Sequence, residues 1–180
     1  MKFRTDFVSN SSSSSFIVIS NSGIQQHEFA KQDVSIPSDS FGGCTQFWWQ
    51  FKQYHDFWSK LNWCAICIND MKAIEKRESS QEKMKRTVGN PWFDSKAMTA
   101  MLKKVCKEKF GLKVKVVPTD YHSSIDHSST IRERPENGRM FQTEQMLSDF
   151  LGNSSSYIDN GNDNEEPPNE YRERHKDYSI

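Results

Sequence analysis

The chain has 180 residues, and its 24 Lys and Arg balance 24 Asp and Glu, so the formal net charge is zero. Hydrophobic residues make up only 34% of the chain, and the mean hydropathy is −0.82, but aromatic residues reach 12%, which argues against a wholly disordered protein. No apolar run approaches the roughly 18–20 residues that cross a bilayer, so these values exclude a membrane-spanning protein, a collagen, a coiled coil and a disulfide scaffold.

The N-terminal half is predicted to alternate short strands with helices. The apolar, β-branched run 16–20 predicts a buried strand, whereas 22–44 is punctuated by Gly, Pro and Ser and predicts mostly loop with at most one short element. Aromatic residues at three- and four-residue spacing predict a helix over 46–61. The apolar run 63–68 fits a strand or a helix by length, and we assign it to the sheet. Strong helix formers over 70–87 predict an exposed helix that frays in its middle.

The C-terminal half contains the most regular helical pattern of the chain. Asp94 or Ser95 is predicted to cap a helix that stops at Gly111, and lysines crowd its last turns, where they favour the helix dipole. Alternation over 112–117 predicts a strand, and 140–151 predicts a short helix. The predicted buried face of the long helix consists of Ala97, Met98, Met101, Leu102, Val105 and Phe110.

Strands separated by helices indicate an α/β fold. We predict a single small domain over residues 1–164, in which a short sheet is flanked by helices. After Asn164 no pattern indicates a core, so residues 165–180 are predicted to form a disordered acidic tail.

Charge is unevenly distributed along the chain. Residues 71–115 contain 13 Lys or Arg and 5 Asp or Glu, a net charge of +8, whereas 159–180 carry 7 acidic and 3 basic residues. This asymmetry suggests that the middle binds a phosphate-bearing or acidic partner, or that the acidic end folds against it. The alternative is that exposed charges only keep the protein soluble.

The N-terminus combines basic residues with a run of serines. Its apolar segment is shorter than the roughly 7–15 residues of an export signal, so we expect a cytosolic protein with reduced cysteines. A serine run beside a strand can offer backbone N–H groups and hydroxyls to a phosphate, which makes Ser11, Ser12 and Ser13 candidate ligand-binding residues. The run has none of the glycines and lysine of a phosphate-binding loop, and a flexible arm is the alternative.

Three patches of the chain resemble a group of known sequences. The opening Phe-Val-Ser-Asn-Ser-Ser-Ser-Ser-Ser-Phe at 7–16, the segment 125–129, and the stretch from 150 through Ser-Tyr-Ile-Asp at 156–159 to Asn-Asp-Asn at 162–164 are similar to uncharacterised bacteriophage proteins. The resemblance covers roughly 30 residues. It implies a phage origin and hence the host cytoplasm, and it implies no activity.

A polar segment after the predicted strand 112–117 is the candidate catalytic site. His122, Asp126 and His127 supply imidazoles and a carboxylate beyond the carboxyl end of a strand, where α/β folds bind ligands. This set suits a divalent metal or a general acid/base pair. Oxygen ligands could come from Asp159, Asn162, Asp163 and Asn164. The spacing matches no established metal signature, and the alternative is a polar loop that bonds its own backbone.

Cys64 and Cys67 form a C-x-x-C preceded by Trp63. The motif resembles the active site of thioredoxin-like oxidoreductases, in which a helix N-terminus lowers the pKa of the first Cys. Zinc would need two more ligands at a recognised spacing. The simplest interpretation is a pair of small buried thiols.

The aromatic residues next to the basic middle are the last candidate surface. Trp48, Trp49, Tyr54, Phe57 and Trp58 could stack on bases, although aromatic stripes more often form core.

The sequence therefore leaves three functions open. The leading hypothesis is a phage accessory protein that binds a host protein or nucleic acid in the host cytoplasm, without catalysis and without a membrane. The first alternative is a metal-dependent hydrolase or phosphotransferase that uses His122, Asp126 and His127 with a divalent metal. The second alternative is a thiol-disulfide protein that uses Cys64 and Cys67.

Overall fold

A computed structural model gives the fold and describes residues 13–25, 29–38, 47, 52–90, 92–118, 131 and 135–162. Within these ranges, helices and short sheets alternate along the chain, which confirms the predicted α/β class with a small sheet flanked by helices. The strands are β1 (Ser13–Val18), β2 (Gln32–Ile36), β3 (Lys52–Tyr54), β4 (Leu112–Val116) and β5 (Tyr157–Asn162). The helices are α1 (Phe57–Glu75), α2 (Ser80–Gly89), α3 (Ser95–Phe110), a 3-10 helix (Pro135–Gln142) and α4 (Glu144–Gly152). The predicted tail, 165–180, lies outside the described residues.

The strands form two separate sheets. β5 lies between β1 and β3 in an antiparallel sheet, and β2 pairs with β4 in parallel. Alternate residues of the parallel pair are buried, namely Val34 and Ile36 on β2, and Leu112 and Val114 on β4. The other face of this pair is exposed and carries an ion pair between Lys113 and Asp33 (3.0 Å). The predicted strands at 16–20 and 112–117 are confirmed as β1 and β4, with shifted ends.

Helix α1 forms the centre of the core. It begins after Asp56, whose carboxylate accepts a hydrogen bond from the backbone N–H of Ser59 (2.8 Å). Every residue over 59–68 is buried, so this stretch has no polar face that would mark a helix by periodicity. The predicted strand over 63–68 is therefore wrong, because this run is the interior of α1. The predicted helix over 46–61 is helical only over 57–61, because β3 lies before it.

The predicted exposed helix over 70–87 is two helices. α1 ends at Glu75, and α2 begins after Ser79, which forms a capping box with Glu82. Arg86 of α2 links the two helices across this break. Its guanidinium bonds the Glu78 carboxylate (2.9 Å) and lies 3.6 Å from the carboxylate of Glu75, the last residue of α1. The middle of 70–87, predicted to fray, is thus the capped boundary between α1 and α2.

Helix α3 matches its prediction closely. The Asp94 carboxylate accepts hydrogen bonds from the N–H groups of Lys96 and Ala97, both at 3.0 Å, and Gly111 ends the helix at a φ of 71°, a left-handed conformation that glycine adopts without strain. The buried members of the predicted face are Met98, Leu102, Val105 and Phe110. Ala97 is exposed and Met101 only half-buried, so the buried face is narrower than predicted.

The C-terminal elements depart further from expectation. The predicted helix over 140–151 is split between the 3-10 helix and α4, which begins after the capping residue Thr143. Leu147 and Phe150 are buried, and Met146 is half-buried. Strand β5 was not predicted. No helix among the described residues is long and apolar enough to span a bilayer.

Candidate functional site

The two ends of the described chain meet in the antiparallel sheet. β1, which contains the end of the serine run, pairs along its whole length with β5, so that Ser13 lies opposite Asn162 and Val18 opposite Tyr157. The described end of the N-terminal patch, 13–16, thus lies in the strand next to β5, which contains residues 157–162 of the C-terminal patch. Of the candidate ligand-binding residues, Ser13, Asp159 and Asn162 belong to these strands. Ser11, Ser12, Asp163 and Asn164 lie outside the described residues, as does the patch 125–129.

The middle strand of this sheet buries polar side chains. Asp159 has no exposed surface and Asn160 is 1% exposed. The Nε2 group of Gln53 on β3 donates a hydrogen bond to Oδ2 of Asp159 (3.1 Å), so this carboxylate joins β3 to β5. An external ligand would reach Asp159 only by displacing protein groups that cover it. In this arrangement the carboxylate holds strands together, which is a structural role.

The candidate catalytic residues His122, Asp126 and His127 lie outside the described residues. The strand that leads to them is described, and α1 anchors its end, because Nδ2 of Asn69 donates to the carbonyl oxygen of Val117 (2.9 Å). Asn62 similarly holds the chain after β2, where it bonds both the N–H and the carbonyl of Ser38 at 3.0 Å. Among the described residues, no three His, Cys, Asp or Glu side chains are grouped so that they could hold a metal ion. A divalent-metal site at this loop stays a prediction.

Cys64 and Cys67 lie in the middle of α1 and are fully buried, together with Cys106 of α3. Burial raises the pKa of Cys64 and Cys67 well above the usual value for a thiol, and neighbouring thiols raise it further. A reactive thiolate needs the opposite environment, a helix N-terminus or a nearby cation with access for the partner. The three buried thiols therefore pack α1 against α3, and their environment does not support thiol-disulfide exchange.

The described part of the basic segment 71–115 contains cations that form ion pairs and cations that do not. Arg86 bonds glutamates at the end of α1, Lys113 pairs with Asp33, and Nζ of Lys104 donates to Oε1 of Glu144 (2.7 Å). Glu144 raises the pKa of Lys104 through this hydrogen bond and its charge. These three cations are therefore partly neutralised within the fold.

Three lysines of α3 form a row without such partners. Lys96, Lys103 and Lys107, which we call the lysine row, are all exposed, and within the described residues none has a carboxylate within 4.0 Å. At about 100° per residue, the three lie within about 40° of one another around the helix axis, with Ala100 beside them. The row runs about 16 Å along the helix, at a rise of about 1.5 Å per residue. Its geometry gives a straight line of positive charge on a rigid, well-packed support.

Comparison with protein-family models, with curated proteins and with solved structures found no match to this chain.

The described aromatic candidates lie in or against the core. Tyr54 and Phe57 are buried and Trp58 is half-buried, whereas Trp48 and Trp49 lie outside the described residues.

Sequence reasoning missed two ionisable groups on α1, of which one is buried and one half-buried. Lys60 is 1% exposed, and burial lowers its pKa from 10.5 to about 8, against the smaller opposing effect of Asp56. Asp70 is half-buried, and burial raises its pKa from 3.8 to about 7. Oδ2 of Asp70 is buried and has no hydrogen-bond partner within the part of the chain that the structure describes. Only an expectation that α1 is buried all round would have singled these residues out.

Proposed function

We propose that this chain is a phage accessory protein that binds nucleic acid in the host cytoplasm, without catalysis, through the lysine row of α3. The phage origin and the location rest on the sequence resemblance. The binding rests on one observation, the exposed row of Lys96, Lys103 and Lys107 without ion-pair partners among the described residues. Lysines that contact phosphates release condensed counterions, and this release drives nucleic-acid binding.

The positive charge of α3 is concentrated on one face of a well-packed helix. The formal net charge of the chain is zero, so a uniform attraction to polyanions is not expected. The row concentrates positive charge on one face of a helix whose opposite face is anchored by Met98, Leu102 and Val105. The charges therefore face a partner without a large ordering cost for the backbone.

The test is fluorescence anisotropy with a labelled DNA duplex of about 20 base pairs at about 50 mM salt. The variant Lys96→Gln/Lys103→Gln/Lys107→Gln removes the row while keeping good helix formers. The matched control, Lys76→Gln/Lys83→Gln/Lys115→Gln, removes three exposed lysines from α2, β4 and the end of α1. We expect the row variant to lose binding at least tenfold and the control to lose it less than about threefold.

Two results would contradict the proposal. One is a wild-type protein that binds no duplex or single strand at low salt, in which case the row only keeps the surface solvated or meets a host protein. The other is an equal loss in both triple variants, because affinity would then follow total charge and not the row. Circular dichroism of each variant establishes that the helices are intact.

A further inference from the structure

We infer that the lysine row contacts the phosphate backbone of a double helix and does not read its base sequence. This inference rests on the proposed function and names the class of nucleic acid. It is drawn from the residues that accompany the row and from the rigidity of α3.

The exposed face of α3 has the side chains of a phosphate contact. Every residue of α3 is described, and its exposed residues are Lys96, Ala97, Ala100, Lys103, Lys104, Lys107, Glu108 and Lys109. Base edges are read mainly by bidentate side chains, Arg on guanine and Asn or Gln on adenine. The sequence of α3, SKAMTAMLKKVCKEKF, contains no Arg, Asn or Gln. Lysine acts as a point charge with rotatable donors, which suits phosphate oxygens and carries little sequence information.

Acidic side chains limit the lysine row on the side of Lys104. Lys104 lies beside the row, but its Nζ bonds Glu144 at 2.7 Å, and Glu108 also acts on it electrostatically. The acidic side chains would repel phosphates on that side. On that side the binding surface therefore ends at the lysine row, which is a line of charge along the helix axis.

A single rigid line favours a duplex over a single strand. Lys103 and Lys107 lie about 6 Å apart along the axis, and Lys96 lies about 10 Å before Lys103. A duplex has a persistence length of about 50 nm and so holds its phosphates at fixed positions over the whole length of the row. A flexible single strand would have to be ordered against the same line, which costs conformational entropy.

The experiment measures affinity for three duplexes of equal length, A·T-rich, G·C-rich and mixed, and for one single strand. We expect the three duplexes to bind within about threefold of one another, and the single strand to bind more weakly. For three phosphate contacts, the slope of log affinity against log salt should be about −2.7, which is a loss of about 40-fold between 50 and 200 mM. The row variant should flatten this slope.

The failures are distinguishable. A preference of tenfold or more for one duplex, abolished in the row variant, would overturn the backbone-only inference and leave nucleic-acid binding in place. Tighter binding of the single strand would overturn the duplex inference in the same way. If no probe binds, or if the control triple variant loses as much as the row variant, the proposed function itself fails.

Discussion

Lys60 gives the sharpest test of the energetics of this fold. The residue is 1% exposed, and its ammonium group donates to the carbonyl oxygens of Asn153 (2.9 Å) and Ser156 (3.3 Å), which lie in the turn between α4 and β5. Burial lowers its pKa from 10.5 to about 8. Folding therefore favours the neutral amine, and the stability gained from deprotonation is present above pH 10.5 and lost as the pH falls through about 8. Over this window the free energy of unfolding should change by about 3 kcal/mol.

The perturbation is Lys60→Met, which keeps an unbranched side chain, one atom shorter, and removes its titration. Urea unfolding at pH 7 and pH 10 gives the stability gap between wild type and variant, and integration over the two pKa values predicts that wild type gains about 2–3 kcal/mol relative to the variant between these pH values. Cys64 and Cys67 titrate in the opposite sense, because their raised pKa makes the fold lose stability as the pH rises above 9.0. Both proteins share this loss, so it cancels in the difference.

The control is Lys76→Met, at an exposed position of the same chain. Its stability relative to wild type should be the same at both pH values. A Lys60→Met gap that stays constant within about 0.5 kcal/mol from pH 7 to pH 10 would refute the reasoning, because it would mean that the buried amine keeps its ordinary pKa.

Three further changes test other parts of the structure. Asp70→Asn should stabilise the protein by about 2 kcal/mol at pH 8 and hardly at all at pH 4, since the raised pKa of Asp70 costs stability as the pH rises from 3.8 to about 7; an equal gap at both pH values in thermal melts would contradict this. Glu144→Gln releases Lys104 for a fourth phosphate contact and should steepen the salt slope by about 0.9, whereas Glu136→Gln removes the same charge elsewhere and should not. Asp94→Ala should cost about 1 kcal/mol in urea unfolding through the lost cap of α3, and a loss under about 0.3 kcal/mol would show that the cap is dispensable.

The elements that sequence alone could predict are those with local signals. α3 has a capping carboxylate, apolar residues at helical spacing and a glycine in the left-handed conformation at its end, and all three act within the segment itself. β4 follows at once, and its alternation of apolar and lysine residues matches the burial of Leu112 and Val114. Such signals need no knowledge of the rest of the chain.

The elements that were missed depend on tertiary partners. β5 has the sequence Tyr-Ile-Asp-Asn-Gly-Asn, in which turn-forming residues dominate, and it is a strand because β1 and β3 pair with it on both sides. α1 gives no periodic signal over 59–68 because it is buried all round. For the candidate surface, counting charges located the basic segment, but only the geometry separates the lysine row from Arg86 and Lys104, which are already paired.

The low mean hydropathy of the chain has a partly internal cause. α1 carries Lys60, Asn62 and Asn69 among its apolar residues, and each bonds the backbone of a distant segment, at Asn153 and Ser156, at Ser38 and at Val117 respectively. Short strands and irregular connections leave backbone groups that no ladder satisfies, and a buried group of this kind costs about 1–3 kcal/mol unless it is bonded. Polar side chains of α1 supply hydrogen bonds to these backbone groups. A polar composition in this chain is therefore compatible with a packed core.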